Sequence, residues 1–142
     1  MPNIYDFLLE NGPATEARDV ARQLAKTRDR TRTILQIALE SPVSSRLCTA
    51  TLGNFISVLA SEAGNLMLKV MATGGLYIAG DIPAHILPVL ETGAFVRFLC
   101  NKGRFSELLS RVPIHVFISQ APLIGAAAYG LSRVQREGTS AS

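Results

Sequence analysis

Gly64-Asn-Leu-Met-Leu-Lys-Val-Met-Ala-Thr-Gly-Gly-Leu-Tyr-Ile-Ala-Gly-Asp-Ile-Pro83 changes its hydrophobic period partway along. Apolar residues up to Met71 recur at helical spacing, whereas Leu76 to Ala79 is a short continuous apolar run closed by Gly80-Asp81. The switch predicts a long helix, a buried strand and a glycine turn, in that order. A strand whose carboxyl end opens into such a turn leaves backbone amides free at the edge of a sheet. An adenosine or phosphate group can approach them because no side chain intervenes. The same spacing also serves many α/β proteins as a plain structural turn, and spacing alone does not choose between the two.

Working back toward the amino end, no proline falls between Ser44 and Met71. Leu47, Leu52, Phe55, Ile56, Leu59, Ala63, Leu66, Met67 and Val70 make a broad apolar stripe there. One helix over 44–71 would be roughly 40 Å long at about 1.5 Å per residue, enough to cross a sheet or to serve a subunit contact. Before it, Asn3 to Glu10 reads as a short amphipathic helix stopped by Asn11-Gly-Pro13. Helical spacing starts again after Thr15 at Ala17, Val20, Ala21 and Leu24. It resumes at Ile34, Leu35, Ile37 and Ala38 up to the break at Ser41-Pro42.

Toward the carboxyl end, Thr73-Gly-Gly75 is expected to end the long helix, and Pro83 to open the next one at its first position. Short helices over 84–90, 93–100 and 105–111 lead to a second strand, Ile114 to Ile118. A strand, helices and a strand in this order predict a parallel pair. A last helix is expected over Leu123 to Arg136, its small residues Gly125, Ala126, Ala127 and Ala128 packing tightly on the sheet. A disordered polar tail over 137–142 would follow. Residues 1–136 thus read as one domain.

The chain has 142 residues, 48% hydrophobic and 18% charged, enough for one domain with a core and too few for two. Its net charge of +3 is concentrated in Arg18, Arg22, Lys26, Arg28, Arg30 and Arg32. Glu16, Asp19 and Asp29 interleave with them and aromatic residues do not, so the segment reads as a solvated face with ion pairs and not as a nucleic-acid surface. Cys48 and Cys100 show no metal-ligand spacing and read as reduced core thiols. With no signal-peptide pattern, they point to a cytoplasmic protein. The uncharged runs 47–61 and 112–132 are respectively too short and too interrupted by Pro113, His115, Gln120 and Pro122 to span a membrane.

Several motifs admit two readings. Gly74-Gly75 lies at the amino end of its strand, which assigns it to chain reversal. Ser119-Gln120 follows the second strand and precedes a helix, so its amides either face the same crevice as Gly80 or form a plain turn. His85 and His115 have no partner in the sequence suited to proton transfer, and Lys69 has no glycine loop beside it.

Residue identity adds what spacing does not. Ala72-Thr-Gly-Gly-Leu-Tyr-Ile-Ala-Gly-Asp-Ile-Pro-Ala-His-Ile-Leu-Pro88, Asn101-Lys-Gly-Arg-Phe-Ser-Glu-Leu-Leu109 and Pro122-Leu-Ile-Gly-Ala-Ala-Ala-Tyr-Gly130 occur in this order. Together they closely resemble the carboxyl-terminal part of the ATP-dependent bacterial glucokinases that lack a zinc site. The resemblance runs from near Pro2 to about Gly130. It departs at Asp81, where family members usually carry a second glycine.

What the resemblance implies is an α/β chain, part of the large lobe of an actin-like and hexokinase-like ATPase fold, mostly helical with about two parallel strands. The family's reaction would be transfer of the ATP γ-phosphoryl group, with Mg2+, to the 6-hydroxyl of glucose. This chain would supply the adenosine side through Gly80, Asp81 and Ile82, with Asp81 capping the following helix and Ser119 and Gln120 as further nucleotide-side residues. Lys102-Gly-Arg-Phe105 is either a loop or a device that orients nucleotide or closes the domain. The family's phosphate-binding glycine loop, its catalytic Asp preceded by Asn, and its sugar-binding Glu and His motifs have no counterpart in these 142 residues. Met1 is therefore expected to be an internal or truncated start, and the chain to be inactive alone and marginally stable, with no catalytic or metal-binding residue of its own. The alternative from another class is a non-catalytic interaction module that forms a homodimer through the helix over 44–71.

Overall fold

Pro2 sits in the first turn of helix α1 (Pro2–Asn11), where a missing amide costs nothing, and the Gly12 N–H closes the far end on the Leu8 carbonyl at 2.8 Å. The computed structural model describes residues 1–43, 45–118 and 121–139. The helical pattern expected between Thr15 and Ser41 divides into α2 (Arg18–Lys26) and α3 (Arg30–Glu40). The division has a local cause. Asp29 Oδ1 accepts the Arg32 N–H at 3.0 Å, and Thr27 Oγ1 accepts the Thr33 hydroxyl at 3.0 Å, so side chains take over at the point where backbone pairing stops.

Helix α4 (Arg46–Val70) begins at Ser45, whose Oγ accepts the Cys48 N–H at 3.3 Å. It ends within a residue of the expected Met71, but by a different stop. Met71, and not the Thr73-Gly75 segment, takes the left-handed conformation at φ 51°, and the Ala72 N–H closes on the Met67 carbonyl at 2.9 Å. Satisfying that terminal carbonyl offsets a left-handed cost of about 1–2 kcal/mol for a non-glycine residue. Gly75, at φ +142°, then turns the chain into strand β1 (Leu76–Ile78).

After β1 come α5 (Asp81–His85), α6 (Leu87–Leu90) and α7 (Ala94–Leu99), a 3-10 turn at Gly103–Phe105 and α8 (Ser106–Ser110). Strand β2 (Ile114–Val116) pairs with β1 in parallel, in the register Leu76↔Ile114, Tyr77↔His115 and Ile78↔Val116. The mostly helical architecture with two parallel strands agrees with the fold expected from sequence. A last helix, α9, spans Ala121–Thr139, beyond the expected end at Arg136, and residues 140–142 of the expected tail lie outside the described residues.

The core lies among α1, α3, α4 and α7, where Tyr5, Ile34, Leu47, Ile56 and Leu99 are buried, with Ile86 between α5 and α6. Gly64 makes the α4–α7 crossing close: a Cβ there would stand 2.7 Å from the Leu99 carbonyl oxygen. The strands differ from expectation. Leu76, Ile78, Ile114 and Val116 are half-buried against the helices, but Tyr77 is 60% exposed, because the described residues cover only one face of the pair. Tyr77 stacks on His115 at 4.9 Å and lies 6.0 Å from the Phe117 ring on the open face.

Helix α9 likewise does not pack tightly on the sheet over 123–133. These residues are exposed, and a Cβ at Gly125 would meet nothing within 4 Å. A small-residue face gains only when another backbone comes close, and two three-residue strands offer little surface to approach. Cys48 is buried and Cys100 half-buried, both as free thiols, and burial pushes both thiols upward in pKa.

Candidate functional site at the carboxyl end of the first strand

The turn after β1 is built on one residue. Gly80 has φ +121° and ψ 178°, a region essentially reserved for glycine, and it caps α5 without any side chain. The sequence leads to the expectation that Asp81 caps that helix; instead Gly80 holds the cap position, and Asp81 occupies the first helical position and makes no capping hydrogen bond. Since Met71 is the only non-glycine residue with positive φ among the described residues, Asp81 has ordinary backbone geometry. The departure from the family's second glycine therefore leaves the turn unstrained. Pro83 stands at the third helical position and is buried, two places later than expected.

Ile82 packs its side chain on the core, which fixes α5 against the body. His85 Nδ1–H donates to the Asp81 carbonyl at 2.7 Å, so this histidine braces the short helix. Across from these residues stands the start of α3. A cleft of about 220 Å³ is lined by Asp81, Ile82 and His85 on one side and by Asp29, Thr31, Arg32 and Leu35 on the other. A neighbouring groove of about 300 Å³ continues along α3 and shares Arg32, Leu35 and His85 with it.

The structure thus places Asp81 and Ile82 on one crevice, with Gly80 immediately before them in the chain, while Ser119 and Gln120 lie outside the described residues. Sequence reasoning missed the opposite wall. Arg32 reads from sequence as one member of a solvated basic run, and nothing local signals that it faces Asp81. Its neighbour Arg30 has a different role, donating to both Asp6 carboxylate oxygens at 2.6 and 3.1 Å. Lys102-Gly-Arg-Phe105 serves the α4–α7 junction: Lys102 Nζ donates to Asn65 Oδ1 at 2.7 Å, Gly103 turns at φ +55°, and Arg104 lies 5.0 Å from the Phe105 ring.

The donor set suits part of a nucleotide. Leu35 and Ile82 offer apolar surface and Arg32 a permanent positive charge, while Gly80, just before the lining residues, leaves the backbone without a Cβ. At about 220 Å³ the cleft is smaller than the roughly 300–1,000 Å³ of a complete small-molecule site, so it suits a base and ribose better than a whole nucleoside triphosphate. Among the described residues no group of three or more His, Cys, Asp and Glu is placed to hold a metal ion, and no helix is long and apolar enough to cross a membrane.

Helices packed beside parallel strands, with a crevice at the strands' carboxyl end, define a partial lobe of the hexokinase-like class of α/β folds. The family model for glucokinase matches residues 1–133. Among curated proteins, the glucokinase of Nostoc sp. strain PCC 7120 is 39% identical over 135 residues, covering 87% of this chain and 39% of the relative. That of Synechocystis sp. strain PCC 6803 is 35% identical, covering 87% and 38%. A crystal structure of glucokinase from an Antarctic psychrotroph matches with a TM-score of 0.67 at 30% identity, covering 88% of this chain and 35% of that one. The chain belongs to the glucokinase family and corresponds to a carboxyl-terminal portion of it. It spans about two fifths of the length of the curated relatives it matches.

Proposed function

We propose that this chain forms the adenosine side of the ATP site of a glucokinase, with Gly80, Asp81 and Ile82 in contact with the nucleotide. Gly80 carries the proposal, because its glycine-only conformation opens the backbone at the carboxyl end of a parallel strand, beside a cleft with a cation on its far wall. In this arrangement the base and ribose lie against Leu35 and Ile82, and Arg32 faces the phosphate end. The free Asp81 carboxylate is placed to accept from a ribose hydroxyl. Ser119 and Gln120 belong to the same proposal as further nucleotide-side residues.

The complete reaction is in-line transfer of the γ-phosphoryl group. The glucose 6-hydroxyl oxygen bonds to phosphorus, the bond to ADP breaks, and a carboxylate takes the hydroxyl proton. Mg2+ supplies charge neutralisation at the phosphates, and no residue of this chain is assigned to it. The motifs for that carboxylate, for the phosphate loop and for the sugar pocket have no counterpart here. Residues 1–142 alone therefore bind nucleotide without phosphorylating glucose, in the cytoplasm where ATP and glucose meet. A second proposal, a homodimer through α4, is favoured by one observation: Val58, Leu66 and Val70 are exposed apolar residues along one side of that helix, with Glu62 between the first two.

Amide chemical shifts recorded during titration with ATP test the nucleotide proposal. Shifts at 80–82 and at Arg32, weakened at least tenfold in affinity by Gly80→Ala, support it. Shifts confined to other elements, or an unchanged affinity in the variant, overturn it. ADP production from glucose by the chain alone would overturn the proposed inactivity.

A further inference from the structure

The far wall of the cleft beside Asp81 is the first turn of α3, and that turn is tied to α1 by a residue outside the cleft lining. Arg30 donates from its two terminal nitrogens to the two carboxylate oxygens of Asp6, at 2.6 and 3.1 Å. Its guanidinium also lies 6.0 Å from the centre of the Tyr5 ring. Tyr5 is itself buried and donates its hydroxyl to Glu16 Oε1 at 2.6 Å, which joins this part of α1 to the segment before α2. A two-pronged bond such as that of Arg30 sets angle as well as distance. The connection from α2 is only Thr27 to Asp29, and Asp29 closes the start of α3 on the Arg32 N–H at 3.0 Å.

Residues two apart on a helix stand about 200° apart around its axis. Arg30 therefore reaches α1 while Arg32 lines the cleft from another side of the same turn. The Arg32 guanidinium makes no hydrogen bond or ion pair among the described residues. The backbone beneath it, and not a side-chain partner, thus decides where its charge stands. We infer that the Asp6–Arg30 pair positions Arg32 for the phosphates of the nucleotide. Asp6 and Arg30 are positioning residues: neither lines the cleft, and both act through one helical turn on the cation that does. Without the pair, the first turn of α3 samples other placements, and apparent affinity falls with the fraction of molecules that hold Arg32 in the competent one. The inference rests on the reading of this cleft as a nucleotide site.

Calorimetric titrations of the chain with ATP and, separately, with adenosine test it, since adenosine has the base and ribose but no phosphate. Arg32→Gln should weaken ATP binding about tenfold, the scale of a lost charge-assisted hydrogen bond, and leave adenosine binding unchanged. Asp6→Asn keeps the side chain's shape and removes its charge, whereas Arg30→Lys keeps the charge and removes the fork. Each should weaken ATP binding about threefold, as expected of a partly exposed pair, with adenosine affinity unchanged. The Asp6→Asn loss should vanish in the Arg32→Gln background. A packing role alone would weaken both ligands alike and persist in that background, and either result overturns the inference. So does full ATP affinity in Asp6→Asn where Arg32→Gln lowers it. An ATP affinity indifferent to both Arg32→Gln and Gly80→Ala would instead overturn the nucleotide reading, and the inference with it.

Discussion

The helical body and the strand-and-α9 region of this chain are both rich in apolar residues, yet they end in opposite conditions. In the body, Tyr5, Ile34, Leu47, Ile56 and Leu99 are buried against one another, and the crossing of α4 and α7 is close enough to require Gly64. On the strands and α9, Tyr77, Ile118, Leu123, Ile124 and Tyr129 are exposed. Burial needs a second surface, and the body supplies its own where the strands have helices on one side only. Apolar content alone thus does not separate a closed core from a surface that calls for a partner.

Substitutions should divide along the same line. Leu99→Ala removes buried volume where α7 meets α4 and should cost about 2–5 kcal/mol in chemical denaturation. A loss below about 1 kcal/mol would mean the body is not closely packed. Gly64→Ala should come next, at roughly 1–3 kcal/mol despite alanine's better helix propensity, because its Cβ would press on a backbone oxygen that has no rotamer to change. Thermal melts that rise in this variant would break the claim of a close crossing.

Tyr5 tests the body's polar seam. Its hydroxyl donates to Glu16 Oε1 at 2.6 Å, and burial, then the bond to Glu16, holds the phenol above its ordinary 10.0. The neutral form is the one favoured by folding, so this stability is present below pH 10 and is lost as the pH rises beyond it. Tyr5→Phe should cost about 0.5–1.5 kcal/mol at neutral pH and flatten the alkaline fall of a denaturation series.

Asp6→Asn should be milder, roughly 0.2–1 kcal/mol, since its ion pair with Arg30 is partly exposed to water. The bond to Arg30 holds the Asp6 carboxyl below its ordinary 3.8, so the contribution is present above that value and is lost as pH falls through the lower native one. The wild-type and variant curves should converge in acid. Tyr77→Ser should change the chain's own stability least, within about 0.5 kcal/mol, because the ring rests on the open face. A loss as large as that of Leu99→Ala would erase the contrast between the two regions.

Much of this architecture was legible in the chain. The period switch after Met71 marked the helix-to-strand change, and the order of apolar runs predicted a parallel pair. Gly80 stood out as the turn that opens the strand's carboxyl end. Boundaries were less legible where side chains and backbone compete. Thr27 and Asp29 divide a continuous helical pattern, and Met71 ends α4 before the glycines do, because a backbone closure on Met67 is available there. The cleft was half legible: Asp81 and Ile82 follow the glycine turn that the sequence marks, whereas Arg32 lies 49 positions earlier (81 − 32 from Asp81) in a run that looks solvated.

The sequence by itself determined the family, the alternation of helices and strands, and the glycine at which the first strand opens. The family rests on the resemblance of residue identities along the chain, and the other two on local periodicity and on residue types that few conformations tolerate. Tertiary structure alone decided which arginine shares a cleft with Asp81, that Tyr77 stands on an exposed face, and that the outer edge of β1 has no backbone partner among the described residues. Those properties depend on distances between residues remote in the chain, and periodicity says which side of an element is apolar without saying what, if anything, covers it.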